Sequence, residues 1–282
     1  MNADPIVYLN GQFVKASEAT VPVLDRGFIF GDGVYDVVPV YGRKMFRAQD
    51  HMARLARSLA KIRIANPYST EKWIEIVDHL IDSSDQDDQL VYIQVTRGVA
   101  PRLHAFPKDA TPTVLVMTNP LPKPTAQARS QGVACVTLPD ERWLHCDIKS
   151  VSLLGNVLAA QHAAEHNAAE TIMFRDGLLT EASASNVWVV KNGTVTGPSK
   201  DHRVLEGIRY GLLEQLCKTG GIPFQMRDIA QSEVFDADEV LLTSAAKEVL
   251  PVTSIDGKPV GAGEPGPIYA ALYALYQSAK TA

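Results

Sequence analysis

Few side chains in this sequence combine the type and the setting needed for covalent chemistry. The first is Lys149, in Asp147-Ile148-Lys149-Ser150, which is followed by Val151-Ser152-Leu153-Leu154-Gly155-Asn156. An ammonium group is costly to bury without a partner. A lysine held partly buried gives up its proton more readily and becomes an amine nucleophile, the group a Schiff base requires. About thirty residues on is a carboxylate, Glu181, followed by Ala-Ser-Ala-Ser-Asn. Further candidates are Arg54, the run Arg97-Gly-Val-Ala-Pro-Arg102-Leu-His104-Ala-Phe-Pro107, and Glu206-Gly207-Ile208-Arg209, where a helix is expected to open.

Other chemistries are not written here. No G-x-x-x-x-G-K-[ST] phosphate loop occurs, and Gly27, Gly31 and Gly33 do not have dinucleotide G-x-G-x-x-G spacing. No H-E-x-x-H and no G-x-S-x-G nucleophile elbow is present. His162 and His166 stand four apart on an expected helix, which could place two ligands on one face. A solvated helix face accounts for them better, and no metal is expected. Cys135, Cys146 and Cys217 are odd in number and lack metal spacing. Reduced thiols in a cytoplasmic protein fit them best, with Cys146 acting as a small hydrophobe.

A lysine, a carboxylate, scattered arginines and a helix N-terminus match the needs of a pyridoxal cofactor. Such a cofactor takes a Schiff-base lysine, an acidic partner for its pyridine nitrogen, and donors for its phosphate. Backbone N–H groups at a helix start are one such phosphate site. The small residues after Glu181 would leave room for a ring. On these residues alone, a surface lysine at a loop end explains Lys149 better, and Glu181 reads equally as a loop carboxylate.

The elements that would position these groups follow from the pattern. The 282 residues suffice for two domains, and 46% hydrophobic with 21% charged content is ordinary for a globular protein. A net charge of −5 argues against a nucleic-acid binder. No apolar run reaches the length of a membrane span, and Met1-Asn2-Ala3-Asp4-Pro5 has no signal-peptide character. Asn10-Gly11 and Asn192-Gly193, each between apolar runs, predict hairpins. The glycines at 27, 31 and 33 predict a tight turn leading to a strand over 34–41. The spacing of Met52, Leu55, Leu59 and Ile62 predicts a helix capped by Asp50, and a second helix should run from Ser69 or Thr70 to Ile81. Strands are expected over 90–96, 112–117, 133–138, 171–174, 187–190, 194–196, 224–227, 239–243 and 250–255. Further helices are expected over 155–166, from Glu206 to before Gly220, and over 267–279. The proline-rich Asn119-Pro120-Leu121-Pro122-Lys123-Pro124 suits a stiff linker. The chain is therefore expected to divide into domains 1–119 and 126–282 around a linker at 120–125. Mixed strands and helices with several hairpins give a mixed α/β (α+β) class and exclude a purely parallel array.

Asp147-Ile148-Lys149-Ser150, Leu154-Gly155-Asn156 and Thr180-Glu181-x-Ser183-x-Ser185-Asn186 together resemble the signature of the fold-type IV (class-IV) aminotransferases. The likeness extends through Asp25-Arg26-Gly27, Phe30-Gly31-Asp32-Gly33-Val34-Tyr35, Leu205-x-Gly207-Ile208 and Thr243-Ser244, and so covers nearly the whole chain. The resemblance implies two α/β domains, a smaller N-terminal and a larger C-terminal one, with pyridoxal 5'-phosphate between them, in a homodimer. It makes Lys149 the Schiff-base residue and general base, and Glu181 the partner of the pyridine nitrogen. It assigns Arg54, the backbone of Ile208 and Arg209, and Ser244 to the phosphate, and packs Leu205 on the ring.

Thr96-Arg97-Gly98-x-x-Pro101-Arg102-x-His104-x-Phe106-Pro107 is similar to the stretch that binds the substrate α-carboxylate in family members acting on D-amino acids. It implies that Tyr35, Arg102 and His104 hold that carboxylate, since a guanidinium matches a carboxylate as a bidentate fork. The implied reaction is ping-pong transfer from a D-amino acid, such as D-alanine or D-glutamate, to 2-oxoglutarate or pyruvate. The same machinery serves L-branched-chain and (R)-amine transaminases and aminodeoxychorismate lyase, and a non-catalytic small-molecule binder on this scaffold is a different reading. The Arg102–His104 pair argues against the first group, and an intact Lys149 and Glu181 against the last. Two residues depart from the pattern. Ala245 stands where a familiar bacterial member has threonine, and Arg209 replaces a small hydroxyl residue while keeping its backbone N–H.

Overall fold

A computed structural model describes residues 4–281. Met1, Asn2 and Ala3, the start of the expected leaderless terminus, and Ala282 lie outside them. The chain forms two compact units: one takes the chain to Leu121 and then Ile148–Ser152, the other takes Pro122–Asp147 and the chain from Leu153 onward.

The first unit begins with β1 (Ile6–Leu9) and β2 (Gln12–Lys15), joined at Asn10 and Gly11, both with positive φ. The glycine-rich stretch expected to be a turn contains a short helix, α1 (Arg26–Phe30). The Asp25 side chain caps it by accepting from the Gly27 N–H, and Gly31, at φ 65°, ends it. A side chain at Gly31 would be strained by that φ and would run into Ser152. Next come β3 (Gly33–Tyr41), β4 (Lys44–Met45), α2 (Ala48–Lys61), α3 (Thr70–Asp82), β5 (Gln89–Thr96) and β6 (Thr113–Pro120).

The N-cap of α2 is Arg47, in the left-handed region, in place of the expected Asp50. Asp50 instead accepts from Arg47 Nε at 2.6 Å inside the first turn. Ser69 caps α3 as expected, through the Lys72 N–H. The sheet order is β2-β1-β6-β5-β3-β4. Side chains alternate across a strand. Val34, Val38, Val40, Val91, Ile93, Val95, Val114 and Val116 thus meet Met52, Leu55 and Leu59 of α2 and Trp73, Ile76, Val77 and Leu80 of α3 in one core. Each such aliphatic side chain contributes about 1.5–3 kcal/mol on full burial.

Two boundaries differ from expectation. β6 runs through Asn119 to Pro120, which pairs with Gln89, so the proline-rich connection starts later than residue 120. Pro120 is the last residue of its strand, a place where a missing N–H is tolerated. In addition, Ile148–Ser152, expected within the second domain, is part of the first unit. Ser150 bridges Val34, and the Tyr35 N–H donates to the Lys149 carbonyl at 2.9 Å. The Val151 N–H donates to Gly33 O at 3.0 Å, and Ile148 packs on the core.

The second unit runs α4 (Ala126–Gln131), β7 (Val133–Pro139), α5 (Leu154–Glu165), β8 (Glu170–Arg175), β9 (Leu178–Ala182), β10 (Asn186–Lys191) and β11 (Thr194–Gly197). It continues with α6 (Ile208–Gly220), β12 (Phe224–Met226), α7 (Gln231–Phe235), β13 (Glu239–Ser244), β14 (Glu248–Ile255), β15 (Lys258–Pro259) and α8 (Pro267–Thr281). Its sheet order is β12-β11-β10-β13-β14-β7-β8-β9, with β15 on β14. The β11/β12, β14/β7 and β7/β8 pairs are parallel and the others antiparallel. Ile172, Leu179, Val187, Val189, Val240, Leu242, Leu250 and Val252 form the core on one face. Among the described residues no helix is long and apolar enough to cross a membrane.

Candidate active site

In the first unit, Lys149 is fixed by backbone. Its carbonyl accepts from the β3 amide of Tyr35, and its own N–H donates to Ser58 Oγ on α2 at 3.4 Å. The side chain is half-buried, and Nζ stands 4.2 Å from the centre of the Tyr35 ring. Among the described residues Nζ has no carboxylate partner. An amine held against an aromatic face and not tied into an ion pair is available for covalent chemistry. Tyr35 stacks in turn on Tyr92, ring centres 5.6 Å apart. Burial and the neighbouring Tyr35 push the Tyr92 hydroxyl up to about 12.

Arg54 is buried on α2, and its guanidinium grips a carboxylate that sequence reasoning missed. Nε and Nη2 donate to the two oxygens of Asp36 at 2.8 Å each. His51 Nδ1 lies 2.7 Å from the same carboxylate. Asp36 is fully buried, which by itself would raise its pKa, but Arg54 and His51 hold it well below the usual carboxylate range. Nη1 of Arg54 has no hydrogen-bond partner among the described residues, so one end of the fork remains for an anion. The sequence signal for Asp36 was its place directly after Tyr35 in the glycine-rich motif.

Arg102 and His104 sit exposed on the loop after β5, and Phe30 gathers them. The Arg102 guanidinium and the His104 ring each lie 5.4 Å from the Phe30 ring centre. Among the described residues no hydrogen bond or ring contact joins either to Tyr35. Asp32 underlies this loop: it takes Arg26 Nε at 2.7 Å and Arg97 Nε and Nη2 at 2.8 and 3.0 Å. Burial opposes ionisation of Asp32, but the two guanidinia win and its pKa is lowered.

In the second unit, Glu181 is buried on β9. It is ion-paired with Arg142 through Oε1, while Oε2 accepts from Asn186 Nδ2 and the Leu205 N–H, both at 3.2 Å. Arg142 is held in turn by both oxygens of Asp140, which also takes Arg175 at 3.0 Å. Burial works against the Arg142 charge, yet Asp140 and Glu181 raise its pKa. Arg142 and Asp140 were not expected, because neither lies in a recognisable motif.

Leu205 is half-buried, and its carbonyl takes Asn186 Nδ2 at 2.9 Å. Two residues on, Gly207 is the N-cap of α6, where any side chain would collide with Asn186 Oδ1. The cap has no side-chain acceptor, and the first amides of a helix have no partner within it. Ile208 and Arg209 are in that first turn, so their N–H groups suit an anion. The Arg209 side chain is buried and turns to α8, with Nη2 donating to Tyr276 Oη at 2.8 Å and to Ala245 O at 3.4 Å. Ser244 Oγ accepts from the Lys247 N–H at 3.1 Å.

Ser183 and Ser185, expected to leave room for a ring, are committed inward. Both hydroxyls donate to buried Glu170, which also takes Lys247 Nζ at 2.6 Å. Their alternate spacing serves a buried carboxylate that no local pattern announces. Burial pushes the thiols of Cys146 and Cys217 up to about 11 and that of Cys135 higher still. None is a nucleophile near neutral pH. Among the described residues no group of three or more metal-ligating side chains occurs. The His162 and His166 rings lie tilted against each other, centres 4.2 Å apart.

Comparison with known proteins gives these arrangements a family. Residues 33–255 match the model of the family Amino-transferase class IV. The chain is 41% identical to a D-alanine aminotransferase of Bacillus licheniformis, over 93% of this chain and 92% of that protein. It is 40% identical to a D-alanine aminotransferase of Staphylococcus aureus (strain MSSA476), over 93% of each. Its fold superposes on the branched-chain amino acid aminotransferase of Escherichia coli with a TM-score of 0.93. That match has 23% identity and covers 98% of this chain and 94% of the other. The mixed α/β fold expected from the sequence is therefore the fold-type IV aminotransferase fold, and the chain belongs to the class IV aminotransferases.

Proposed function

We propose that Lys149, Glu181, Arg54 and the first turn of α6 serve one pyridoxal 5'-phosphate, in an enzyme that moves the amino group of a D-amino acid to a 2-oxo acid. The observation that carries this reading is the unpaired Lys149 amine against Tyr35, in a chain 41% identical to a D-alanine aminotransferase. The residues present fit the cofactor. The open Nη1 of Arg54 and the α6 amides suit its phosphate, and Glu181, held by Arg142 and Asn186, suits a protonated ring nitrogen. When bound, the cofactor supplies a carbonyl that takes up an amine and a ring that accepts the electrons released at the substrate Cα.

The protein's own groups do the rest. The Lys149 amine would hold the cofactor's carbonyl carbon and, when free, would take the proton from the substrate Cα. Glu181 would keep a proton on the ring nitrogen, with Arg142 holding Glu181 in orientation. Ser244 and the Ile208 and Arg209 amides would hold the phosphate, and Leu205 would lie against the ring. Arg209 acts there through its backbone, since its side chain is engaged by Tyr276 and Ala245. Arg102, His104 and Tyr35 hold the α-carboxylate. One 2-oxo acid leaves before the second binds, so one carboxylate site serves both. The reading includes a homodimer in the cytoplasm. Leu154, Val157 and Leu158, 72, 58 and 63% exposed at helical spacing on α5, supply an apolar stripe suited to contact between copies.

The test is a half-reaction followed by absorbance. Enzyme loaded with pyridoxal phosphate is mixed separately with D-alanine, D-glutamate, L-leucine and (R)-1-phenylethylamine. Fast conversion to the pyridoxamine form by the D-amino acids alone is expected. Fast conversion by L-leucine or the amine with D-alanine inert overturns the substrate assignment and leaves Lys149 in place.

A further inference from the structure

The loop that carries Arg102 and His104 is exposed, yet its main chain is held from beneath by charge. Arg26 Nη1 donates to Leu103 O at 2.5 Å and Nη2 to His104 O at 3.3 Å. These carbonyls belong to the residue between Arg102 and His104 and to His104 itself. Arg97, at the loop's start, lies 3.6 Å over the Phe106 ring near its end. The same guanidinium donates to Ile62 O at 2.7 Å and Arg63 O at 3.2 Å, which ties the loop to the end of α2. Both arginines are nearly inaccessible, with side chains 3% and 8% exposed, and they share one carboxylate, Asp32. The Arg26 N–H also donates to Gly98 O at 2.9 Å, so the two segments are joined by backbone as well.

We propose that Asp32 is a positioning residue for substrate-carboxylate recognition: through Arg26 and Arg97 it fixes residues 101–107, so that Arg102 and His104 meet the substrate already in place. Two buried guanidinia that share one carboxylate repel each other once it is neutralised, and removing one partner of a buried pair leaves uncompensated charge. Their grip on the Leu103 and His104 carbonyls and on Phe106 then loosens. A carboxylate site displaced by even an ångström loses on the order of a hundredfold in productive binding. The inference rests on the assignment of Arg102 and His104 as the carboxylate site.

The experiment compares Asp32→Asn, Asp32→Glu, Arg97→Lys and Arg102→Ala with wild type, all as holoenzymes. Three quantities are read: KM and kcat with D-alanine and D-glutamate, the rate of the absorbance change with hydroxylamine, and cofactor retained on dialysis. Hydroxylamine is a nucleophile without a carboxylate. Asp32→Asn should raise KM about ten- to hundredfold with kcat within a few-fold. Its hydroxylamine rate and cofactor retention should match wild type, and Asp32→Glu should recover part of the KM loss. Arg97→Lys keeps the charge but not the fork or the stacking, and should show the same split if Asp32→Asn fails to fold. A KM unchanged in Asp32→Asn or Arg97→Lys, while Arg102→Ala raises it, overturns the positioning role. Equal losses in all three quantities also overturn it, because they mark a merely structural residue. An unchanged KM in Arg102→Ala removes the carboxylate assignment itself, and the inference with it.

Discussion

The two units hold their proposed working groups with opposite polarity. In the first, the groups proposed to meet cofactor or substrate are cationic, Arg54 and Arg102, or the amine of Lys149, and the buried supports are carboxylates. Asp36 holds Arg54, and Asp32 holds the arginines beneath the Arg102 loop. In the second, the group offered is an anion, Glu181, and the buried support is a guanidinium, Arg142, itself held by Asp140. The physical requirement is the same in both. A charged group cannot be held rigidly in a low-dielectric place unless a countercharge and hydrogen bonds meet the cost of its desolvation. Lys149 is the exception among the buried and half-buried groups, with an aromatic face where Arg54 and Glu181 have a countercharge. It is also the one proposed to change covalent partners, a role that a permanent ion pair would oppose.

The exception gives the sharpest test of that comparison. Lys149→Ala should lower turnover by at least the 10²–10⁴-fold (roughly) that a positioned proton-transfer group contributes, while the unfolding midpoint changes little because no ion pair is lost. A variant that turns over near the wild-type rate would falsify the role of Lys149.

The supports should behave in the reverse way. Asp36→Asn and Arg142→Gln each remove one partner of a buried pair, and each should cost about 3–5 kcal/mol in denaturant unfolding. Their second effects should separate. Asp36→Asn weakens retention of pyridoxal phosphate through Arg54, whereas Arg142→Gln changes the absorbance of bound cofactor through Glu181. Identical effects on both readouts would erase the distinction between the two units.

The smallest expected effect is on acid stability. Asp32, Asp36 and Asp140 all ionise more readily folded than unfolded. Each therefore adds stability that is fully present above the unfolded aspartate pKa of about 3.9 and drains away as pH falls toward the folded value. The thermal midpoint should be flat from neutral pH to about 5 and drop below about 4. Asp36→Asn, already less stable, should show a shallower drop. A drop of unchanged steepness would mean that Asp36 carries none of it.

Local pattern made much of the framework legible. Asn10-Gly11 and Asn192-Gly193 formed hairpins because those residues adopt the left-handed backbone such turns need. Ser69 capped α3, and the apolar spacing of Met52, Leu55 and Leu59 placed the buried face of α2. The helices that escaped, α1, α4 and α7, are five or six residues long, too short to show a period. The strand end at Pro120 escaped because proline was read as a break, although a terminal position needs no N–H.

The sequence by itself determined which groups could do the chemistry. Lys149, Glu181 and the arginines are recognisable by type and by short ordered motifs, and a motif is a local property of the chain. Only the tertiary structure decided what holds each group. Asp32 reaches Arg97 across 65 residues, Arg142 reaches Glu181 across 39, and Lys247 reaches Glu170 across 77. A countercharge is chosen by proximity after folding, when burial makes an unpaired charge intolerable, and no spacing along the chain encodes that proximity.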